Sequence, residues 1–214
     1  MLQDLRNEIK KSRGFYEHKG RPGKIGGSLP RNALDDTELH PLIPIRKSAV
    51  EAVITYAKPI QDQDFETVIV INPDTDSIVF KKNGLDREID ILPTEWKYFK
   101  HNRVLHNHPS GMTFSFGDIG AAFQQCEAED WVIGLTGILY VILPPDGMKY
   151  FPQSLANKAF KEYKRLSVIV STNLKILSML SHLDPKERKN TIHRNILQKM
   201  SSDGWFRYYE IELE

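Results

Sequence analysis

The stretch His106-Asn107-His108-Pro109-Ser110-Gly111-Met112-Thr113-Phe114-Ser115-Phe116-Gly117-Asp118 follows the short run Arg103-Val104-Leu105 and precedes a helix-like segment. Read on these residues, 103–108 is a central strand, Pro-Ser-Gly turns the chain, and 116–128 is a helix. Two histidines separated by one residue on a strand project from the same face, roughly 6–7 Å apart along the backbone. Both imidazoles can therefore converge on one cation. Asp118 enters on the first turn of the next helix, where its carboxylate can complete a His₂Asp set. Three protein ligands with a fourth position left for water is the pattern of catalytic zinc. Taken singly, each part has a plainer reading. A His pair on a strand is often polar surface, and Ser115-Phe-Gly-Asp118 is also the spelling of a helix capping box. Together they point to a metal site at His106, His108 and Asp118.

Working outward, the neighbouring segments read as a mixed α/β arrangement. Ser48-Ala-Val-Glu51 has the form of a capping box, so a helix over about 49–57 is expected to stop before Pro59. Phe65–Ile71 and Ser77–Phe80, joined by Asn72-Pro-Asp-Thr-Asp, read as a hairpin. Arg87–Leu92 reads as another short strand, and Thr94–His101 as a helical turn with Trp96 and Phe99 on one side. Trp131–Leu135 and Ile138–Leu143 are two buried strands. Apolar residues at helical spacing from Phe160 through Tyr163, Leu166, Val170, Leu174, Leu177 and Leu180 predict a long amphipathic helix over 155–183, or two in series. Asp184-Pro-Lys-Glu187 restarts a helix to about 200, and Trp205–Leu213 reads as a terminal strand. The fold class is α+β, with a largely antiparallel sheet. The chain divides into a basic N-terminal helix and Gly/Pro-rich arm (1–44), a central domain (45–152) and a helical appendage with a terminal strand (153–214), which packs on the core or on a second copy.

With 214 residues, 40% hydrophobic and 27% charged, the composition is that of a globular domain with attachments. No run of eighteen apolar residues occurs, which excludes a membrane-spanning helix by hydropathy, and the first residues lack a secretory apolar core. A cytoplasmic location is expected. The single Cys126 excludes a disulfide framework and any multi-cysteine metal site. The net charge of +1 hides a bias: residues 1–24 hold seven Lys/Arg against three Asp/Glu and residues 154–200 ten against three, leaving about −10 elsewhere.

Residues 106–118 resemble the signature of the JAMM (MPN/JAB) metalloprotease superfamily, in its RadC-like or phage-associated JAB-like subgroup. Members pair His-x-His-Pro with Ser-x-x-Asp. The resemblance covers roughly residues 45–152 and is specific at the motif. It implies an MPN/JAB-like, cytidine-deaminase-like β-α-β core and Zn²⁺ as cofactor. It also implies hydrolysis of peptide or isopeptide bonds, often at ubiquitin-like tails. The spacing from His108 to Asp118, with nine residues between, is one shorter than the family's usual wording. The segment 20–30 also resembles linkers of phage head-associated proteins, which fits a bacterial or phage-infected cell.

The resemblance further implies a glutamate on an earlier strand as general base. Glu66, opening the first long strand, is the favoured position, ahead of Glu51, which has a capping role, and Glu88. Ser115, if its hydroxyl faces the site, is the expected oxyanion donor. His101, His182 and His193 lack spacing partners and read as surface or internally satisfied histidines, His18 and His40 carry no signal, and Cys126 reads as core packing. Gly26-Gly27-Ser28 is the kind of chain a narrow peptidase groove accepts, or an ordinary linker. The expected partner is a protein or peptide substrate. A DNA-processing accessory with a nucleic-acid partner, and an inactive MPN-type scaffold whose tail (154–214) assembles a homo-oligomer, are the alternatives.

Overall fold

The computed structural model describes residues 45–85, 89–178 and 184–213. The arm with its diglycine, the basic helix, His18, His40, Glu88 and His182 lie outside the described residues, as do Arg87 and Leu180. Ten regular elements follow in order: α1 (Lys47–Gln61), β1 (Thr67–Ile71), β2 (Ile78–Asn83), β3 (Arg103–His108), α2 (Phe116–Gln125), β4 (Glu129–Gly134), β5 (Ile138–Leu143), α3 (Ala156–Ser178), α4 (Pro185–Ser202) and β6 (Arg207–Glu212). The six strands form one sheet in the order β2-β1-β3-β4-β5-β6. Every neighbouring pair is antiparallel except β3–β4, which is parallel and joined through α2. The α+β class with a mixed, largely antiparallel sheet is thus observed.

Central strands are buried on both faces, and β1 is accordingly β-branched throughout. Thr67-Val-Ile-Val-Ile71 is buried at every position. The edges are polar instead. Lys81 and Lys82 lie on β2 and Arg207, Glu210 and Glu212 on β6, where charge discourages further strand pairing. One face of the sheet packs under α1: Val53, Ala57 and Ile60 meet Ile69, Leu105, Trp131 and Val141. The other face is shared. Over β4 and β5 lie α2, α3, α4 and Phe206, with Ile119, Phe123, Tyr163 and Leu197 in the same cluster as Val132 and Tyr140. Over β1 and β3 lies the segment before β3, where Phe99 packs with Val68, Val70 and Val104. The site opens between these two coverings.

Several local expectations are corrected. α1 starts two residues before the expected span, with Arg46 at the cap position and no side-chain cap, so Ser48 and Glu51 do not form a capping box. The helix also runs through Pro59, because Pro59 is exposed in the last turn while the next residue, Ile60, is fully buried. Residues 89–92 are not a strand. Ile89 and Ile91 still pack on the Phe99 cluster, which accounts for their apolar character. α2 ends at Gln125, and Cys126 is its left-handed cap (φ 54°), half-buried rather than a core position on the helix. α3 buries Ala156, Ala159, Tyr163 and Leu166 in the core, whereas Val168 beyond them is exposed. The side chains of Val170, Leu174 and Leu177 are outside the described set. Asp184 caps α4 as expected, accepting from the amides of Lys186 and Glu187. β6 pairs with β5 along its whole length and extends the sheet, while described residues of α3 and α4 pack in the core on it. Among the described residues no helix is long and apolar enough to cross a membrane.

Candidate metal centre

β3 carries His106 and His108 on the face shared by α2 and the Phe99 segment, both nearly buried. Between them, Asn107 points to the α1 face, where it is fully buried and fully used. Its Oδ1 accepts from the Thr67 amide at 2.6 Å and its Nδ2 donates to the Phe65 carbonyl at 2.9 Å. That clamp seizes the two residues flanking Glu66 and fixes where the Glu66 carboxylate emerges. Glu66 Oε1 stands 4.0 Å from His108 Nε2.

After β3 the chain reverses through Pro109-Ser-Gly. Gly111 adopts φ 74° and its amide donates to the His108 carbonyl at 2.8 Å. The turn lies on Gly134 at the end of β4, where a Cβ would sit 3.1 Å from the Gly111 oxygen. This close approach folds 112–115 back over His108. The Nδ1–H of His108 then points at the carbonyls of Met112 and Thr113, each at 3.1 Å. Because carbonyls only accept, Nδ1 carries the proton and Nε2 is left with its lone pair towards the site.

The capping box at the start of α2 is real and presents Asp118. Ser115 Oγ accepts from the amides of Gly117 and Asp118 at 3.2 and 3.3 Å, and Asp118 Oδ2 accepts from the Ser115 amide at 2.5 Å. The structural and functional readings of Ser-x-x-Asp are therefore one feature: the cap aims the carboxylate. Asp118 Oδ1 lies 3.6 Å from His106 Nε2, and Oδ2 lies 3.5 Å from His108 Nε2. The imidazole rings are 4.9 Å apart and inclined by 65°. One ligand atom from each of the three residues lies within 4.8 Å of the others.

These separations fit shared ligation rather than hydrogen bonding. At 3.5–3.6 Å a direct hydrogen bond is weak, whereas tetrahedral ligands about 2.0–2.1 Å from zinc lie roughly 3.4 Å from one another. The buried His106 Nε2 has no hydrogen-bond partner, so a ligand atom aimed into the cluster is left unsatisfied by the protein. Two imidazoles and one carboxylate are also a donor set suited to zinc. The residues present fit the ion that the motif implies, and the shortened loop does not prevent the three side chains from meeting.

Electrostatics concentrate here. Burial disfavours a charged His106, but Asp118, followed by Asp130, outweighs it and holds the His106 pKa well above its ordinary value. His108 shifts the other way, because its burial and the neighbouring His106 prevail over Asp118. Asp118 is held well below the usual carboxylate range, against its burial, by His106 and then His108. Behind the cluster, Asp130 Oδ1 approaches His106 Nδ1 at 3.5 Å, the position of a carboxylate that orients a ligating histidine.

A cleft of about 520 Å³ runs over the centre, with Glu66, His108, Ser115 and Asp118 on one side and Lys189 and His193 of α4 on the other. Asn190 Oδ1 accepts from the Thr113 amide at 3.1 Å. It thus braces the peptide unit next to the carbonyl that receives His108 Nδ1–H. His193 is internally satisfied, with its Nδ1 hydrogen-bonded to the Tyr163 hydroxyl, but it also forms part of the cleft wall. His101 is exposed and stacks on Tyr150. Glu51 is exposed on α1, across the sheet from the two histidines, and is no part of this site.

Sequence reasoning missed Asn107, Asp130, Asn190 and Glu127. Only Asn107 had an available signal, as a fully polar residue inside an otherwise central strand. Comparison with family models, with curated proteins and with solved structures gives no match.

Proposed function

We propose that this chain is a zinc-dependent metallopeptidase or isopeptidase of the JAMM type, acting on a protein or peptide substrate. The observation that carries the reading is the meeting of His106, His108 and Asp118 at ligand-to-ligand distances, with the Glu66 carboxylate 4.0 Å from His108 Nε2. The MPN/JAB-like core belongs to this proposal, supported by the β3-α2-β4 unit with its parallel strand pair. His106, His108 and Asp118 would hold zinc, which when bound would supply Lewis acidity towards a carbonyl and lower the pKa of water towards neutrality.

The chain's own residues do the rest. Asn107 holds Glu66 beside the ligand cluster, so its carboxylate takes the proton from the attacking water and returns it to the leaving amine. Ser115 Oγ already accepts two amide protons, which leaves its own O–H to donate to the developing oxyanion. Met112 and Thr113 keep His108 in the Nδ1–H tautomer. The cleft between α4 and the Pro-Ser-Gly loop receives the substrate backbone.

The test is hydrolysis of peptide and diglycine-containing substrates by the zinc-loaded protein and by Glu66→Gln. Loss of at least about 100-fold in rate at unchanged zinc content is expected. Full activity of Glu66→Gln with zinc retained would remove Glu66 from the mechanism, and an inert zinc-loaded wild type would remove the peptidase reading.

A further inference from the structure

Beside the ligand cluster lies a second, smaller pocket of about 220 Å³. It shares Glu66, Ile89 and Asp118 with the main cleft, so it adjoins the place where the substrate backbone would lie. Apart from His106 at the side of the ligand cluster, its walls are largely apolar and aromatic: Val68, Ile91, Trp96, Phe99 and Val104. The rings of Trp96 and Phe99 are 4.9 Å apart and tilted by 54°. Two carboxylates, Glu127 and Asp130, also line it, only 1% and 2% exposed.

These carboxylates are the anomaly. Glu127 Oε2 and Asp130 Oδ1 are buried and have no hydrogen-bond partner among the described residues. A carboxyl group taken from water without a partner is costly, and native structures retain such groups where they serve something. The Arg103 guanidinium does not serve them, because it is engaged by Glu129 and Asp76. Asp130 has the His106 ring at 3.5 Å, whereas no ion pair to Glu127 is found among the described residues and its Oε2 has no hydrogen-bond partner there.

We propose that this pocket binds the side chain of a substrate lysine or arginine flanking the scissile bond. The aliphatic stem lies against Val68, Val104 and the aromatic pair, and the cationic head reaches Glu127. Such a side chain matches the pocket at both ends: long basic residues bury their stems on apolar surface, and aromatic faces attract the cation. A purely apolar side chain would leave the Glu127 carboxyl without a partner, and that penalty is what gives discrimination. The substrate class narrows to chains with a basic residue at the cut. Its meaning for turnover rests on the peptidase reading, but the binding pocket itself does not.

The experiment uses the full, zinc-loaded chain and two probes of equal length, n-pentylammonium and 1-pentanol, titrated calorimetrically. The ammonium is expected to bind at least tenfold more tightly, with the advantage lost in Glu127→Gln. Equal binding of the two probes by the wild type would overturn the proposal, whether or not the variant folds. So would loss of a second zinc equivalent in Glu127→Gln, because the pocket would then be a metal site. In parallel, peptides differing only by lysine or norleucine at the cut should differ at least tenfold in kcat/KM. Hydrolysis without that preference would overturn the pocket and leave the peptidase intact. Glu127-dependent ammonium binding without hydrolysis of any peptide would overturn the peptidase and leave the pocket intact.

Discussion

On the face of the sheet beneath α1, Ile69, Leu105, Trp131, Ile133 and Val141 interlock with Val53, Ala57 and Ile60. The polar groups there are all engaged: Asn107 clamps β1, and Arg103 is held by Glu129 and Asp76. Turned over, the same β3 and β4 present His106, His108 and Asp130, with Glu127 beside them. Here His106 Nε2, Asp130 Oδ1 and Glu127 Oε2 are buried without hydrogen-bond partners. The strands are shared and each residue alternates sides, so the difference cannot come from the backbone. It lies in what each face is completed by. The α1 face closes on groups of the protein itself, while the opposite face, between its two coverings, leaves buried polar atoms that the proposed ion and substrate side chain would complete.

That contrast can be broken from either side. On the closed face, Trp131 is fully buried and its Nε1 donates to Glu129 Oε2 at 2.8 Å. Trp131→Ala should cost about 3–5 kcal/mol in urea denaturation. A loss below about 1 kcal/mol would show that this face is not the stabilising one.

On the open face, His193 offers a pH signature. Burial, then Lys189, pushes its pKa down to about 4, below the ordinary value of 6.5. The unfolded chain therefore binds a proton that the folded one refuses, and stability is lost as pH falls from about 6.5 to 4. This site contributes up to about 3 kcal/mol to that loss. His193→Asn should flatten the pH dependence of urea denaturation across that window. An unchanged slope would mean that His193 titrates normally in the folded protein.

The third test is smaller and probes the seam between α4 and the centre. Asn190 accepts from the amide of the Met112–Thr113 peptide, whose Met112 carbonyl receives His108 Nδ1–H. Asn190→Ala should weaken zinc binding about 10-fold, at the low end of what outer partners of metal ligands contribute. Asn190→Asp, which keeps the accepting oxygen, should recover most of it. Weakened binding in both variants would point to a general packing defect.

What was readable in the sequence was what is written locally. The strand 103–108, the cap at Ser115 and the cap at Asp184 follow from short-range patterns, and the structure places them as read. The two histidines share a face because strands alternate. Ser48 and Pro59 show where local rules lose: a cap signal went unused, and a helix passed its expected stop because Ile60 has a place in the core. Glu127 and Asn190 were invisible for another reason. Glu127 gains its interest from being buried unpartnered beside β3, and Asn190 from reaching Thr113 across 77 positions of sequence. Only tertiary packing creates either relation.

The central claim is that one face of this sheet is completed by a divalent ion. Equilibrium dialysis of the full chain against zinc, followed by elemental analysis, tests it directly. One ion per chain is predicted for the wild type, falling to near zero in His106→Ala, His108→Ala and Asp118→Ala, each shown to be folded by circular dichroism. A wild type that takes up no zinc, or triad variants that hold it as tightly, would contradict the account.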